Sequence, residues 1–209
     1  MLGRCFVTVL LALATTLPPA AAPPNEAQLK QRYDAFVESL DHRELAEDYP
    51  GAVRNLDSTD PKRQMIGIKT LAATEEVKAI PWIVPFLGSE DSGVRIRAGQ
   101  ALNALVATHQ LKRRDKSQSD KVVILPPGPG EIDLKPVSWV IWRMLQMPDD
   151  GNTHAFAANM IGYGAFIEYE PELRGLLKSK HPAVTTAARR ALEMIGASQP
   201  DGEETSLDD

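Results

Sequence analysis

Along this chain the hydrophobic positions recur at helical spacing, and one register returns four times. Residues 60–71 read DPKRQMIGIKTL, 91–102 read DSGVRIRAGQAL, 150–161 read DGNTHAFAANMI and 181–192 read HPAVTTAARRAL. Each begins on a turn or capping residue: Asp60, Asp91, Asp150, His181. Seven positions on stands a small residue (Gly67, Ala98, Ala157, Ala188), and eleven positions on a large aliphatic (Leu71, Leu102, Ile161, Leu192). The starts are separated by 31, 59 and 31 residues. A period of this size is the signature of stacked helix pairs, because a single pair cannot bury its apolar face alone. The predicted fold is all-α: a right-handed α-solenoid of about four helix-pair repeats, with an irregular insertion in the second repeat.

Apolar spacing places the remaining elements. Leu29, Tyr33, Phe36, Val37 and Leu40 predict one helix over 26–47, expected to cap the first repeat. Tyr49-Pro50-Gly51 breaks it, and a short segment around residues 52–56 leads to Asp60. Asp60-Pro61 is a strong helix start, since Asp accepts backbone N–H bonds at the N-cap and Pro suits the first helical position. The partner helix near 76–87 contains Pro81 and Pro85. It is therefore expected to start at Pro81 or to be kinked. A second-layer helix resumes at Pro136, and others are expected over 152–164, 171–178 and 182–196.

The 59-residue interval contains an insertion over 110–135. Its first half, KRRDKSQSDK, is charged; its second, VVILPPGPGEIDLK, is apolar and proline-rich. No regular helix fits there. The expectation is that the charged half near 112–121 is mobile, while 122–125 packs near Trp139 or Trp142. The helix 137–147 is apolar on nearly all sides, so it is central or covered by another element. The insertion is one natural cover.

The stretch DSGVRIRAGQALNAL over 91–105 resembles the first helix of a HEAT-like repeat, of the short, roughly 30-residue phycobilisome-lyase type. Asp91, Val94, Arg95, Ala98 and Leu102 occupy the family's pattern positions. Gln64, His154 and Thr185 stand in the other units where Arg95 stands. The resemblance spans roughly 60–106 and 137–196. It implies a protein-binding scaffold; a few such proteins resemble chromophore lyases and their accessory subunits.

The ends read differently. Arg4, the apolar run CFVTVLLALATTL and Ala20-Ala21-Ala22 have the order of a secretory signal peptide over 1–22. The run of 13 residues is shorter than the roughly 20 a spanning helix needs. Retention of 1–22 as an anchor is the alternative, because Pro23 follows Ala22 directly. The expected organisation is signal peptide 1–22, linker and N-terminal capping helix 23–59, repeat domain 60–197 and a disordered acidic tail 198–209. Export places the chain in the periplasm or outside the cell. The net charge of −5 disfavours nucleic acid, which needs a basic field. Cys5 is the single cysteine and lies in the leader, so no disulfide is expected.

Catalytic motifs are sparse. His42, His109, His154 and His181 lack metal-ligand spacing, and His154, on a first helical turn, and His181, in a capping place, read as local hydrogen-bonding residues. Glu168, Glu170 and Glu172 suit a helix N-terminus. No nucleophile elbow or phosphate loop is present, so no cofactor and no enzymatic activity is expected. The better lead is aromatic. Trp82, Trp139 and Trp142, with the basic run Lys112-Arg113-Arg114, are the candidate partner-binding residues, because tryptophan dominates binding hot spots. The functional expectation is a non-catalytic scaffold that binds a protein partner through its inner helices, the insertion adding a specific contact. The alternatives are an accessory subunit of an envelope enzyme, a lyase-like enzyme and a membrane-tethered structural protein.

Overall fold

The structure is a computed structural model that describes residues 25–117, 121–147 and 151–197. Residues 1–22, expected as a signal peptide, Asp150, and residues 198–209, expected as an acidic tail, lie outside the described residues, as does part of the charged half of the insertion. The described residues form α-helices joined by 3-10 turns, with one isolated antiparallel bridge, Arg114 to Ile124, as the only β pairing among them. Among the described residues no helix is long and apolar enough to cross a membrane.

The repeated register is seen in the burial. The helices that carry it are α4 (Pro61–Ala72), α6 (Ser92–Lys112), α8 (Thr153–Gly164) and α10 (Pro182–Met194). Leu71, Leu102, Ile161 and Leu192 are all fully buried, and Gly67, Ala98, Ala157 and Ala188 are buried with them. Asp60 Oδ1 accepts the Lys62 N–H at 2.9 Å and Asp91 Oδ1 accepts the Val94 N–H at 2.9 Å, so both act as N-caps. Arg95 Nη1 donates to the Ser89 and Glu90 carbonyls at 2.8 and 2.9 Å, tying α6 to the turn before it.

These helices pack as a row. A short helix, α3 (Pro50–Leu56), packs on α4, α4 on α6, α6 on α8 and α8 on α10. The small residues set the spacing. A Cβ on Gly67 would lie 2.8 Å from the Ala52 carbonyl oxygen and 2.8 Å from Leu56 Cδ2. A Cβ on Gly162 would lie 3.0 Å from Ala191 Cα. The segment over 52–56, expected as a connection, is thus a helix that covers α4.

The second layer is less regular. The helix expected over 76–87 divides into a 3-10 turn (Val77–Ala79), the single turn α5 (Ile80–Ile83) and another 3-10 turn (Val84–Gly88). Pro81 and Pro85 each stand in the first turn of the piece they begin, where a missing N–H costs nothing. A continuous helix would lose hydrogen bonds at both and clash with the preceding turns. The next members are α7 (Ser138–Leu145), entered by a 3-10 turn at Lys135–Val137, and α9 (Glu170–Leu176). α7 packs on α8, and α9 on α10.

Two expected boundaries move. The predicted helix 26–47 is α1 (Glu26–Ser39) followed by the separate turn α2 (Glu44–Asp48). Leu40 is extended at φ −90° and ψ 131°. Ser39 Oγ and the Leu40 N–H bond the Phe36 and Val37 carbonyls, so the helix end is satisfied locally. The break lets both Leu40 and Leu45 reach the core. α6 runs on to Lys112, so it takes up the first residues of the expected insertion.

α1 also has an unexpected neighbour. It packs chiefly on α7 and the turn before it. It covers α7, the helix read as apolar on nearly all sides, for which the insertion or a partner was the expected cover.

Ala98→Leu should overpack the α4–α6–α8 row and destabilise the protein by about 1–3 kcal/mol in urea unfolding. An unchanged unfolding midpoint would contradict the assigned register.

Candidate functional site

Two of the three tryptophans are anchors of the fold. Trp139 is buried and stacks on Tyr33 of α1, with ring centroids 4.7 Å apart and planes at 30°. Arg143 lies 5.5 Å from the Trp139 ring and Lys30 5.9 Å, so cations flank the stack. Trp82 Nε1 donates to the His42 carbonyl at 2.8 Å, with the His42 ring edge-on to it. That bond holds the chain break between α1 and α2 against α5. Trp142 is half-buried and lines a small cavity with Glu26, Glu168, Tyr169 and Glu172. The three indoles do not converge on one surface.

The basic run also divides. Lys112 is exposed and lies 3.9 Å from the Glu75 carboxylate. Arg114 forms the bridge with Ile124. Arg113 is the structural member, its side chain 12% exposed. Its guanidinium donates to the Leu125 carbonyl and, at 3.5 Å, to the Ile132 carbonyl, and stands 3.8 Å from Glu131. Glu131 in turn accepts the Gly128 N–H at 2.9 Å. A planar cation with five donors suits several carbonyls at once. Arg113 therefore pins both limbs of the insertion to the end of α6.

Backbone bonds reinforce that attachment. The Asp115 N–H donates to the Val123 carbonyl at 2.8 Å and the Leu125 N–H to the Arg113 carbonyl at 2.9 Å. Val122 is 5% exposed, and its N–H donates to the Met194 carbonyl at the end of α10. Of the segment expected to pack near Trp139 or Trp142, Val122 is buried, whereas Leu125 is 48% exposed. The segment packs at the ends of α6 and α10, while the ring over Trp139 is Tyr33.

Held this way, the insertion forms one wall of a cleft of about 520 Å³. Leu29 and Arg32 of α1, Gln110 of α6, Ser138 of α7 and the turn after α8 supply the others. That turn is shaped by Ala165, whose left-handed backbone (φ 50°) closes α8 at a cost of about 1–2 kcal/mol for a non-glycine residue. It tucks Phe166 over Gly164, where a Cβ would lie 2.1 Å from the ring, and leaves Ile167 64% exposed. Leu125, also in the lining, is 48% exposed. Gln110 is 3% exposed and its amide oxygen has no hydrogen-bond partner among the described residues. Such an acceptor costs about 1–3 kcal/mol while unsatisfied.

The charge in the cleft runs against that of the chain. Arg32, Lys121 and Lys135 line it, exposed, and none makes an ion pair among the described residues. Asp133 and Glu168 are the acids in the lining, and Asp133 already accepts the Lys135 N–H at 3.1 Å. The sequence pattern marked the insertion but not this cleft, because Arg32, Gln110, Lys135 and Ile167 come from four separate segments. The exposed Ile167 beside Phe166 was the one local signal.

His42, His109 and His154 each bond a nearby carbonyl, of Leu40, Glu75 and Met147, at 3.3, 3.2 and 3.1 Å. Glu170 pairs with Arg174 at 2.8 Å within α9. Among the described residues no three His, Cys, Asp or Glu side chains converge where a metal ion could sit. Comparison of the chain with protein-family models, with curated proteins and with solved structures gives no match.

Two buried phenols carry a pH dependence. Burial pushes the Tyr33 hydroxyl well above the ordinary phenol range, helped by Asp34 and opposed by Arg143. Burial does the same to Tyr169, whose hydroxyl donates to the Ser138 carbonyl at 2.7 Å. Both must stay protonated in the fold, whereas the unfolded chain ionises them near 10.0. Their contribution is complete below that pH and is lost above it. Stability in urea should fall as pH rises beyond about 10, and Tyr33→Phe with Tyr169→Phe should flatten the fall. An equally steep fall in the double variant would contradict the assignment.

Proposed function

We propose that this chain is an exported scaffold, a right-handed solenoid of four HEAT-like helix pairs, which binds an extended segment of a protein partner without catalysing a reaction on it. The four-fold register and the row of helices support the solenoid. The observation that carries the binding reading is the cleft between the insertion and the turn after α8. It joins exposed aliphatics, Leu125 and Ile167, to three exposed cations and an unsatisfied buried acceptor. An extended peptide supplies what each lacks: apolar side chains for the rim, carboxylates for the cations and backbone N–H groups for the floor. The leader over 1–22 supports export, and the resemblance of 91–105 supports the repeat family.

The aromatic and basic residues singled out in the sequence act mainly at one remove in this reading. Arg113 holds the cleft wall, and Trp139 holds α1, which bears Arg32. Trp142, Lys112 and Arg114 do not line the cleft.

Leu125→Glu with Ile167→Glu should weaken partner capture from the native envelope fraction, while Ile66→Glu on the exposed face of α4 should leave it intact. Loss of one hot spot corresponds to about 2 kcal/mol, or roughly thirtyfold in affinity. Unaltered capture by the folded double variant would move the binding surface away from the cleft.

A further inference from the structure

The end of α10 delivers the chain to the mouth of this same cleft. Ile195 lines it, and Gly196 follows with a left-handed backbone (φ 72°). The aliphatic stem of Lys121 lies against Gly196, 3.1 Å from where a Cβ would stand. Beyond residues 197–200, DGEETSLDD over 201–209 carries five carboxylates, no cation and one large apolar residue, Leu207. From Gly196 an extended chain reaches Leu207 within about 35 Å, ample for a cleft that begins at Ile195.

We infer that residues 201–209 occupy the cleft of their own chain. This rests on the reading of the cleft as a peptide site. Charge complementarity selects the occupant: the cleft presents Arg32, Lys121 and Lys135, without an ion pair among the described residues, in a protein whose net charge is −5. The carboxylates of Glu203 and Glu204 suit these cations, and the Leu207 side chain suits the exposed aliphatics Leu125 and Ile167. The tail then acts as a tethered competitor. A partner must displace it, so the tail sets a threshold for binding.

The effective concentration of so short a tether is on the order of 1 mM. For a site that binds the free peptide at about 100 µM, the tail weakens binding in trans about tenfold. The test uses a fluorescein-labelled peptide of residues 201–209, titrated by anisotropy into two full-length chains. One is wild type; the other carries Glu203→Gln, Glu204→Gln and Leu207→Ser. The peptide should bind the variant about tenfold more tightly than wild type. Adding Lys121→Gln and Lys135→Gln to the variant should abolish that gain. Equal, lysine-dependent affinity for both chains would overturn the tail's occupancy and leave the cleft reading standing. Binding to neither chain, or binding that ignores the lysines, would also overturn it. A wild-type dimer that dissociates in the tail variant would place the tail on a second copy and overturn the intramolecular assignment.

Discussion

Close approach of helix backbones at small residues is the constraint on which the rest of this structure depends. Gly67 lies under the Ala52 carbonyl, and Gly162 lies against Ala191. Ala98, Ala157 and Ala188 are buried at the positions equivalent to Gly67 in the register. With backbones this near, the large aliphatics four positions on (Leu71, Leu102, Ile161, Leu192) interdigitate and exclude water completely. The row from α3 to α10 is therefore continuous. Because the row is closely packed, the second layer can be broken by prolines and still find an apolar floor. α5 is a single turn between two 3-10 turns, and its Ile80 and Ile83 are fully buried.

Two attachments convert that scaffold into a surface with a cleft. The first is α1, which crosses to α7 and fixes itself by the Tyr33–Trp139 stack. The second is Arg113, a charge placed at the end of α6 where its donors meet carbonyls from both limbs of the insertion. A largely covered guanidinium is costly without such acceptors, so the insertion and Arg113 stabilise each other. The cleft is the gap between these attachments and the turn closed by Ala165. Its character follows from what each attachment brings: Arg32 from α1, Leu125 from the insertion, Ile167 from the turn.

The all-α class, the starts of α4 and α6 and the buried register positions were legible in the sequence, because they depend on local periodicity and capping, whereas α8 begins only at Thr153 and His181 makes no side-chain cap bond. Asp60 and Asp91 cap as the spacing requires. The proline-broken helix was legible in kind, since Pro81 and Pro85 forbid a continuous one. The break at Leu40 was not, because Leu29 to Leu40 keep helical spacing and no glycine or proline marks the end; tertiary burial of Leu40 and Leu45 decides it. The role of α1 was hidden for a related reason. Tyr33 and Trp139 are far apart in sequence, and periodicity says which face is apolar but not what covers it. The same limit concealed the cleft. Lys112, Arg113 and Arg114 are adjacent in sequence, yet one pairs with Glu75, one pins a loop and one forms a bridge.

The central claim is that the insertion is a wall pinned by Arg113 onto a scaffold that stands without it. Amide hydrogen exchange of Arg113→Met tests this most directly, because methionine keeps the apolar stem and removes the donors. The account predicts that the Asp115, Val122 and Leu125 amides exchange at least about tenfold faster, while the core amides of α8 and α10 keep their protection. Unchanged protection at Asp115, Val122 and Leu125 would contradict it, as would loss of protection throughout the protein.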